Sequence, residues 1–242
     1  MKLMIIRHGD PDYTIDSLTE KGWREAEYLA EMLSEQDISQ FYVSPYGRAR
    51  DTASLTLEKM GRTAETLPWL REFDVLIDRP DDPTRKRIPW DWLPQDWTVH
   101  PAFYDRELWS ENEYMKKYNV GEEYRKVTGE FDALLAKHGY RREGGLYRAE
   151  KPNHDTIALF CHFGCGAVLL SHLWNVSPMI VWHGFCAQPS SVTTLVTEER
   201  RKGIASFRML AYGETAHLYV HDEPPAFAAR FCECYDDATR HD

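Results

Sequence analysis

Leu3-Met4-Ile5-Ile6-Arg7-His8-Gly9 stands near the start of the chain and decides how the rest is read. Residues 2–6 are a short apolar run of the kind that makes a buried strand, and the run stops on an arginine, a histidine and a glycine. A second run, Ile157-Ala158-Leu159-Phe160-Cys161, stops in the same manner on His162-Phe163-Gly164. Helical patterns lie between and around these strands. Ser17-Leu18-Thr19-Glu20 offers two N-cap hydroxyls and a capping-box glutamate. Behind it Trp23, Ala26, Ala30 and Leu33 recur on one helical face, with Arg24, Glu25, Glu27 and Glu31 on the other. Phe41-Tyr42-Val43 reads as another strand. Ser44-Pro45 then opens a helix over 47–60, which Gly61 can end. Helices over 121–138 and 167–174 follow, and β-branched or apolar runs at 191–197 and 204–212 read as strands. Strands alternating with helices predict an α/β fold, a three-layer sandwich with a mostly parallel central sheet.

The 242 residues suit a single domain, 1–242, with a sizeable insertion. That insertion is 75–120. Pro80, Pro83, Pro89, Pro94 and Pro101 break its periodicity, and it holds Trp90, Trp92, Trp97 and Trp109, too much aromatic surface for disorder. It reads as an inserted cap. The tail after Pro224-Pro225 reads as disordered.

Charge narrows the partners. Lys plus Arg number 29 against 39 Asp plus Glu, a net charge of -10, which argues against a nonspecific grip on nucleic acid or an anionic membrane. Between Asp155 and Glu198 there is no charged residue of the Asp, Glu, Lys or Arg kind. Histidines, glycines, Asn175 and Pro178 interrupt that stretch, so it predicts a buried strand, helix and strand and not a membrane span. The cysteines number 5, an odd count too sparse for a disulfide framework. With only four apolar residues ahead of Arg7, the start predicts no signal peptide, and the chain reads as cytoplasmic. The sequence assigns no oligomeric state.

In sheets of this kind ligands sit beyond the carboxyl ends of the strands. Arg7 and His8 leave one strand there, His162 leaves another, and Arg48 falls in the first turn of a helix after a third. Two arginines, two histidines and a helix N-terminus around one opening make an anion site, and phosphate fits it best. Unprotonated histidine can attack phosphorus, and nearby guanidinium charge favours that form. A carboxylic acid to protonate the leaving oxygen would complete a phosphomonoester hydrolase.

Here the pattern resembles the histidine phosphatase, or phosphoglycerate mutase-like, superfamily. Arg7-His8-Gly9 resembles its signature, and Leu18-Thr19-Glu20-Lys21-Gly22 the start of its first helix. Ser44-Pro45-Tyr46-Gly47-Arg48-Ala49-Arg50-Asp51-Thr52-Ala53 resembles its second-helix motif. Leu70-Arg71-Glu72 resembles its Leu-x-Glu, and the strand ending at His162 the segment with its second histidine. The resemblance implies His8 as nucleophile and Glu72 as general acid and then base for water. It implies Arg7, Arg48 and His162 as phosphate ligands, with no metal or cofactor and a small phosphorylated metabolite as substrate. The chain departs from the pattern at Thr14, where many members have asparagine, and at Phe163, where a small residue is usual. Phe73-Asp74-Val75-Leu76 replaces a glycine-containing stretch, which leaves Asp74 and Asp10 as alternative acids. Arg85-Lys86-Arg87 is either a solvated run or a contact for a second anion. Cys232-x-Cys234 lacks a partner pair for a metal site, and no cysteine stands in the Cys-x5-Arg pattern of cysteine phosphatases. Hydrolysis leads over a mutase-type phosphotransferase and over a non-catalytic phosphoryl-binding module.

Overall fold

The computed structural model describes all residues except 83, 229 and 238–242. Eight strands form the central sheet: β1 (Lys2–Arg7), β2 (Gln40–Val43), β3 (Ala64–Thr66), β4 (Tyr140–Glu143), β5 (Leu146–Ala149), β6 (Thr156–Cys161), β7 (Val192–Arg201) and β8 (Ile204–Glu214). Their order is β3-β2-β6-β1-β7-β8-β5-β4. Side chains alternate across a strand, and β1 shows the consequence. Leu3 and Ile5 enter one core with Ile157 and Leu159, while Met4 and Ile6 enter the other with Ala158 and Phe160. Helices α1 (Glu20–Ser34) and α2 (Gly47–Met60) cover the second face. Helices α3 (Val120–Lys137), α4 (Phe163–Trp174) and α5 (Pro178–Gly184) cover the first. The three-layer α/β sandwich is thus present.

The sheet is mixed. Pairings among β3, β2, β6 and β1 are parallel, and those from β1 through β7, β8, β5 and β4 are antiparallel. The parallel half is the one whose strand ends carry the motif residues. The β4–β5 hairpin escapes a reading of periodicity because Arg141, Arg142, Glu143 and Arg148 mask a short alternation in which only Tyr140, Tyr147 and Ala149 are buried. Helix α4 begins four residues earlier than its apolar pattern indicates, with His162 at the N-cap.

Helix α1 is rotated from its expected face. Thr19 alone caps it, its hydroxyl accepting from the Gly22 N–H at 3.0 Å, whereas Ser17 donates to Asp51. Trp23 is 38% exposed and Glu25 is 0% exposed. Glu25 is held inside because its carboxylate accepts from the Asp10 N–H at 2.8 Å, a contact that helical spacing cannot reveal. Gly61 ends α2 in the left-handed region, φ 62°, as expected of a C-cap glycine.

Residues 75–120 contain short turns and a two-stranded ladder joining Ile77–Asp78 to Lys86–Arg87. Trp92, Trp97, Phe103, Trp109 and Met115 are buried in the same core as Leu3 and Ile5, so the segment shares the main core.

Candidate functional site

The ends of β1 and β6 lie side by side, with Arg7 opposite Cys161 in register. The residues that follow, His8 and His162, therefore emerge together, their ring centroids 5.1 Å apart. His8 is 2% exposed, His162 1% and Arg7 4%. A cavity of about 960 Å³ opens over Arg7, His8, Arg48 and Glu72. Four of the five expected residues line it. His162 stands behind His8.

Each is fixed by hydrogen bonds. His8 Nδ1 lies 2.7 Å from the Gly9 carbonyl oxygen. A carbonyl only accepts, so Nδ1 carries the proton and Nε2 keeps its lone pair. The Tyr46 N–H donates to Ser44 Oγ at 3.3 Å, and Ser44 Oγ is 2.7 Å from His162 Nε2. A serine hydroxyl both donates and accepts, so this contact orients the His162 ring without fixing its tautomer. Arg7 Nη1 donates to the carbonyls of Ala187 at 2.7 Å and Ala228 at 3.3 Å. Arg48 Nη1 donates to Asp16 at 2.6 Å, and the Tyr13 and Tyr46 rings face its guanidinium.

Burial, reinforced by the Arg7 and Arg48 charges, holds the His8 imidazole well below its ordinary titration range. Burial, with His8 and both arginines, does the same for His162. The two rings are neutral at pH 7. Arg7 Nε, Arg48 Nε and His162 Nδ1 are buried and have no hydrogen-bond partner among the described residues. A buried unpaired donor costs about 1–3 kcal/mol, which a phosphoryl oxygen would offset.

Glu72 caps α4. One oxygen accepts from the N–H groups of Phe73 and Cys165, each at 2.8 Å, and the other from Gly164 at 3.3 Å. Burial raises its pKa, and those N–H donors pull the other way without cancelling the rise. Asp16 takes the corresponding place at α2, accepting from the Gly47 N–H at 2.7 Å. The helix N-terminus expected to join the anion site is therefore occupied by a carboxylate of the chain itself. Asp74 borders the cavity but is engaged by Arg71 at 2.7 Å and the Tyr46 hydroxyl at 2.8 Å. Asp10 does not line the cavity and accepts from Thr19 at 2.8 Å. Thr14 is exposed, and its hydroxyl donates to Asp12 at 2.5 Å.

The small residue missing at 163 is supplied at 164. A Cβ on Gly164 would lie 2.2 Å from the Trp90 ring and 2.8 Å from the Glu72 carboxylate. Phe163 instead forms a wall, its ring facing Arg7 at 5.7 Å and Trp90 at 6.1 Å.

Two features were not legible in the sequence. Asp16 and Ser44 orient Arg48 and His162; Ser44 belongs to the quoted motif, but Asp16 carries no spacing signal. The described part of the C-terminal tail is a strap, not a disordered end. Glu223 pairs with Lys21 and, at 3.0 Å, with Arg24. Ala226 is buried, and Arg230, Phe231, Cys232 and Tyr235 line the cavity. The rest of that expectation, at 229 and 238–242, lies outside the described residues. Arg85, Lys86 and Arg87 do not line the cavity: Arg85 pairs with Asp82 at 3.7 Å and Lys86 lies 4.7 Å over the Tyr118 ring.

A family model of the histidine phosphatase superfamily (branch 1) matches residues 3–209. A 2,3-bisphosphoglycerate-dependent phosphoglycerate mutase of Thermoplasma acidophilum is 43% identical over 86 residues, 31% of this chain and 43% of the relative. A probable phosphoglycerate mutase GpmB of Yersinia pestis is 33% identical over 93 residues, 34% of this chain and 43% of the relative. The match thus spans under half the length of these curated relatives. Among solved structures, a phosphoserine phosphatase mutant from Entamoeba histolytica in complex with phosphoserine aligns at TM-score 0.57 and 16% identity, over 90% of this chain and 98% of that one. A mycobacterial glucosyl-3-phosphoglycerate phosphatase complexed with VO3 aligns at TM-score 0.54 and 19% identity, over 88% and 98%. At these identities the likeness concerns the fold.

Proposed function

The chain belongs to the histidine phosphatase superfamily, and on that premise we propose that it hydrolyses phosphate monoesters through a phosphohistidine on His8, without a metal. The observation that carries this reading is that Arg7 Nε and Arg48 Nε are buried without a hydrogen-bond partner among the described residues, on side chains lining the same cavity as His8, whose Nδ1 is engaged by the Gly9 carbonyl. Arg7, Arg48 and His162 bind the phosphoryl oxygens, where they stabilise charge spread over the transferring group. His8 Nε2 attacks phosphorus and the ester oxygen leaves with the proton of Glu72. Water then attacks the phosphohistidine, Glu72 takes its proton, and orthophosphate and free His8 result. The raised pKa of the buried Glu72 supports its role as acid over Asp74, which is ion-paired with the Arg71 guanidinium.

Phosphotransfer of the mutase type uses the same nucleophile, and the curated relatives favour it. It requires a second anion to be held while the intermediate reorients. In the outer cavity the basic Arg230 is paired with Glu233, which opposes that. We read the substrate as a small phosphate ester and the compartment as the cytoplasm.

The test is phosphate release from an aryl monophosphate in excess chelator, with an alkaline quench to trap base-stable, acid-labile phosphoprotein. His8→Ala abolishes both signals. Retained turnover in that variant, or turnover only with added metal, would overturn the proposal.

A further inference from the structure

We infer that the ester hydrolysed at His8 is that of an apolar, aromatic-bearing alcohol with no second anionic group. This rests on the hydrolase reading above and names the substrate class of the same site.

The cavity has two dissimilar ends. At its floor stand Arg7, His8 and Arg48; its walls and rim include Trp90, Phe163, Trp182, Phe185 and Phe231. Three of them form a connected surface, with Trp90 5.6 Å from Trp182 and 6.1 Å from Phe163, centroid to centroid. Phe185 at the rim is 39% exposed. About 960 Å³ is far more than a phosphoryl group fills and lies at the upper end of the range for small-molecule pockets.

Beyond the floor the charged side chains already have partners within the chain: Asp74 pairs with Arg71 at 2.7 Å. Asp74 and Asp91 border the cavity. The one basic side chain contributed by the strap, Arg230, is paired with Glu233 and lies over the Phe227 ring at 4.9 Å. The basic run Arg85 to Arg87 faces elsewhere. A carboxylate or second phosphate would shed its hydration against tryptophan and phenylalanine, a cost those apolar rings do not compensate. A phenyl or comparable apolar group would shed ordered water against the same walls and gain offset or edge contacts.

The experiment compares esters whose alcohol leaving groups are alike, 3-phenylpropyl phosphate, glycerol 3-phosphate and 3-phosphoglycerate, by kcat/KM. Binding of the non-hydrolysable 4-phenylbutylphosphonate and 4-phosphonobutyrate is measured in parallel by calorimetry. The expected result is a preference of about thirtyfold or more for the phenylpropyl ester, the scale for burying one aromatic group, with the same order among the phosphonates. Phe185→Ala, at the exposed rim, narrows the ratio between the phenylpropyl and glycerol esters about threefold to tenfold. Equal rates, or preference for 3-phosphoglycerate, would overturn the inference and leave the hydrolase reading standing. If no ester is hydrolysed but the aryl phosphonate binds more tightly, the hydrolase reading fails and the substrate class stands. If the carboxylated phosphonate binds equally or better, the inference fails as well.

Discussion

His8 and Glu72 are displaced in opposite directions from their ordinary titration ranges, and that separation sets a pH window for catalysis. The nucleophile works only as neutral imidazole, and burial beside Arg7 and Arg48 keeps it neutral well below an ordinary histidine pKa. The acid works only when protonated, and burial extends that form above an ordinary glutamate pKa. Activity therefore rises with pH as His8 loses its proton and falls as Glu72 loses its own. Glu72→Gln should cost about 10²–10⁴ in kcat/KM on an alkyl phosphate, where the leaving oxygen needs a proton, and little on an activated phenolate. A pH–rate profile on both ester types checks this. Equal losses on both would remove Glu72 from the acid role and bring Asp74 forward. The other ligands act through prior orientation: Asp16 aims Arg48, and Ser44 holds the His162 ring.

At the scale of elements, the site depends on how closely the turn Pro89–Asp91 approaches the start of α4. The aromatic segment over 75–120 reaches the chemistry through Trp90, which sits against Gly164, the residue whose N–H also meets Glu72. Trp97 and Trp109 serve the core instead, while Trp92 is buried in the core and also borders the cavity; Trp97 packs at 4.7 Å from His183. Gly164→Ala places a methyl carbon into the Trp90 ring and against the carboxylate. We expect kcat/KM on an alkyl phosphate to fall about tenfold to a hundredfold, the scale of a displaced catalytic group. The loss on an activated aryl ester should be smaller, because the acid is the part disturbed. The same steady-state comparison, with thermal unfolding as a control for folding, decides it; equal losses on both esters would mean that the glycine serves packing alone. The strap after Glu223 is the other element no periodicity reveals. It is held by Lys21 and Arg24 from α1 and by the reach of Arg7 to the Ala228 carbonyl.

For the molecule as a whole, Glu25 links stability to pH. Its carboxyl is buried between α1 and the loop after β1, and burial raises its pKa from 4.5 to about 7. The native state then holds a proton that the unfolded chain releases between about pH 4.5 and 7. Stability falls across that interval as pH rises, by about 3 kcal/mol at 1.36 kcal/mol per pKa unit, and levels off above it. Glu25→Gln should flatten the difference between urea unfolding at pH 5 and at pH 8; an unchanged difference would assign the pH dependence to other groups. Some of this architecture was already set by linear order. Apolar runs ending in Arg7-His8 and His162, a helix opening at Arg48 and the uncharged stretch after Asp155 determine the α/β layers and where the motif residues emerge. Three residues of that set, Arg7, His8 and Arg48, line the cavity, because strand and helix periods are local and a parallel sheet brings its strand ends to one edge. Periodicity does not determine side-chain partners across elements. The burial of Glu25, the aim of Asp16, the antiparallel half of the sheet, the approach of Trp90 to Gly164 and the fold of the strap over the cavity arise from contacts between residues distant in sequence. Those contacts exist only once the chain has packed, so the tertiary structure alone decided them.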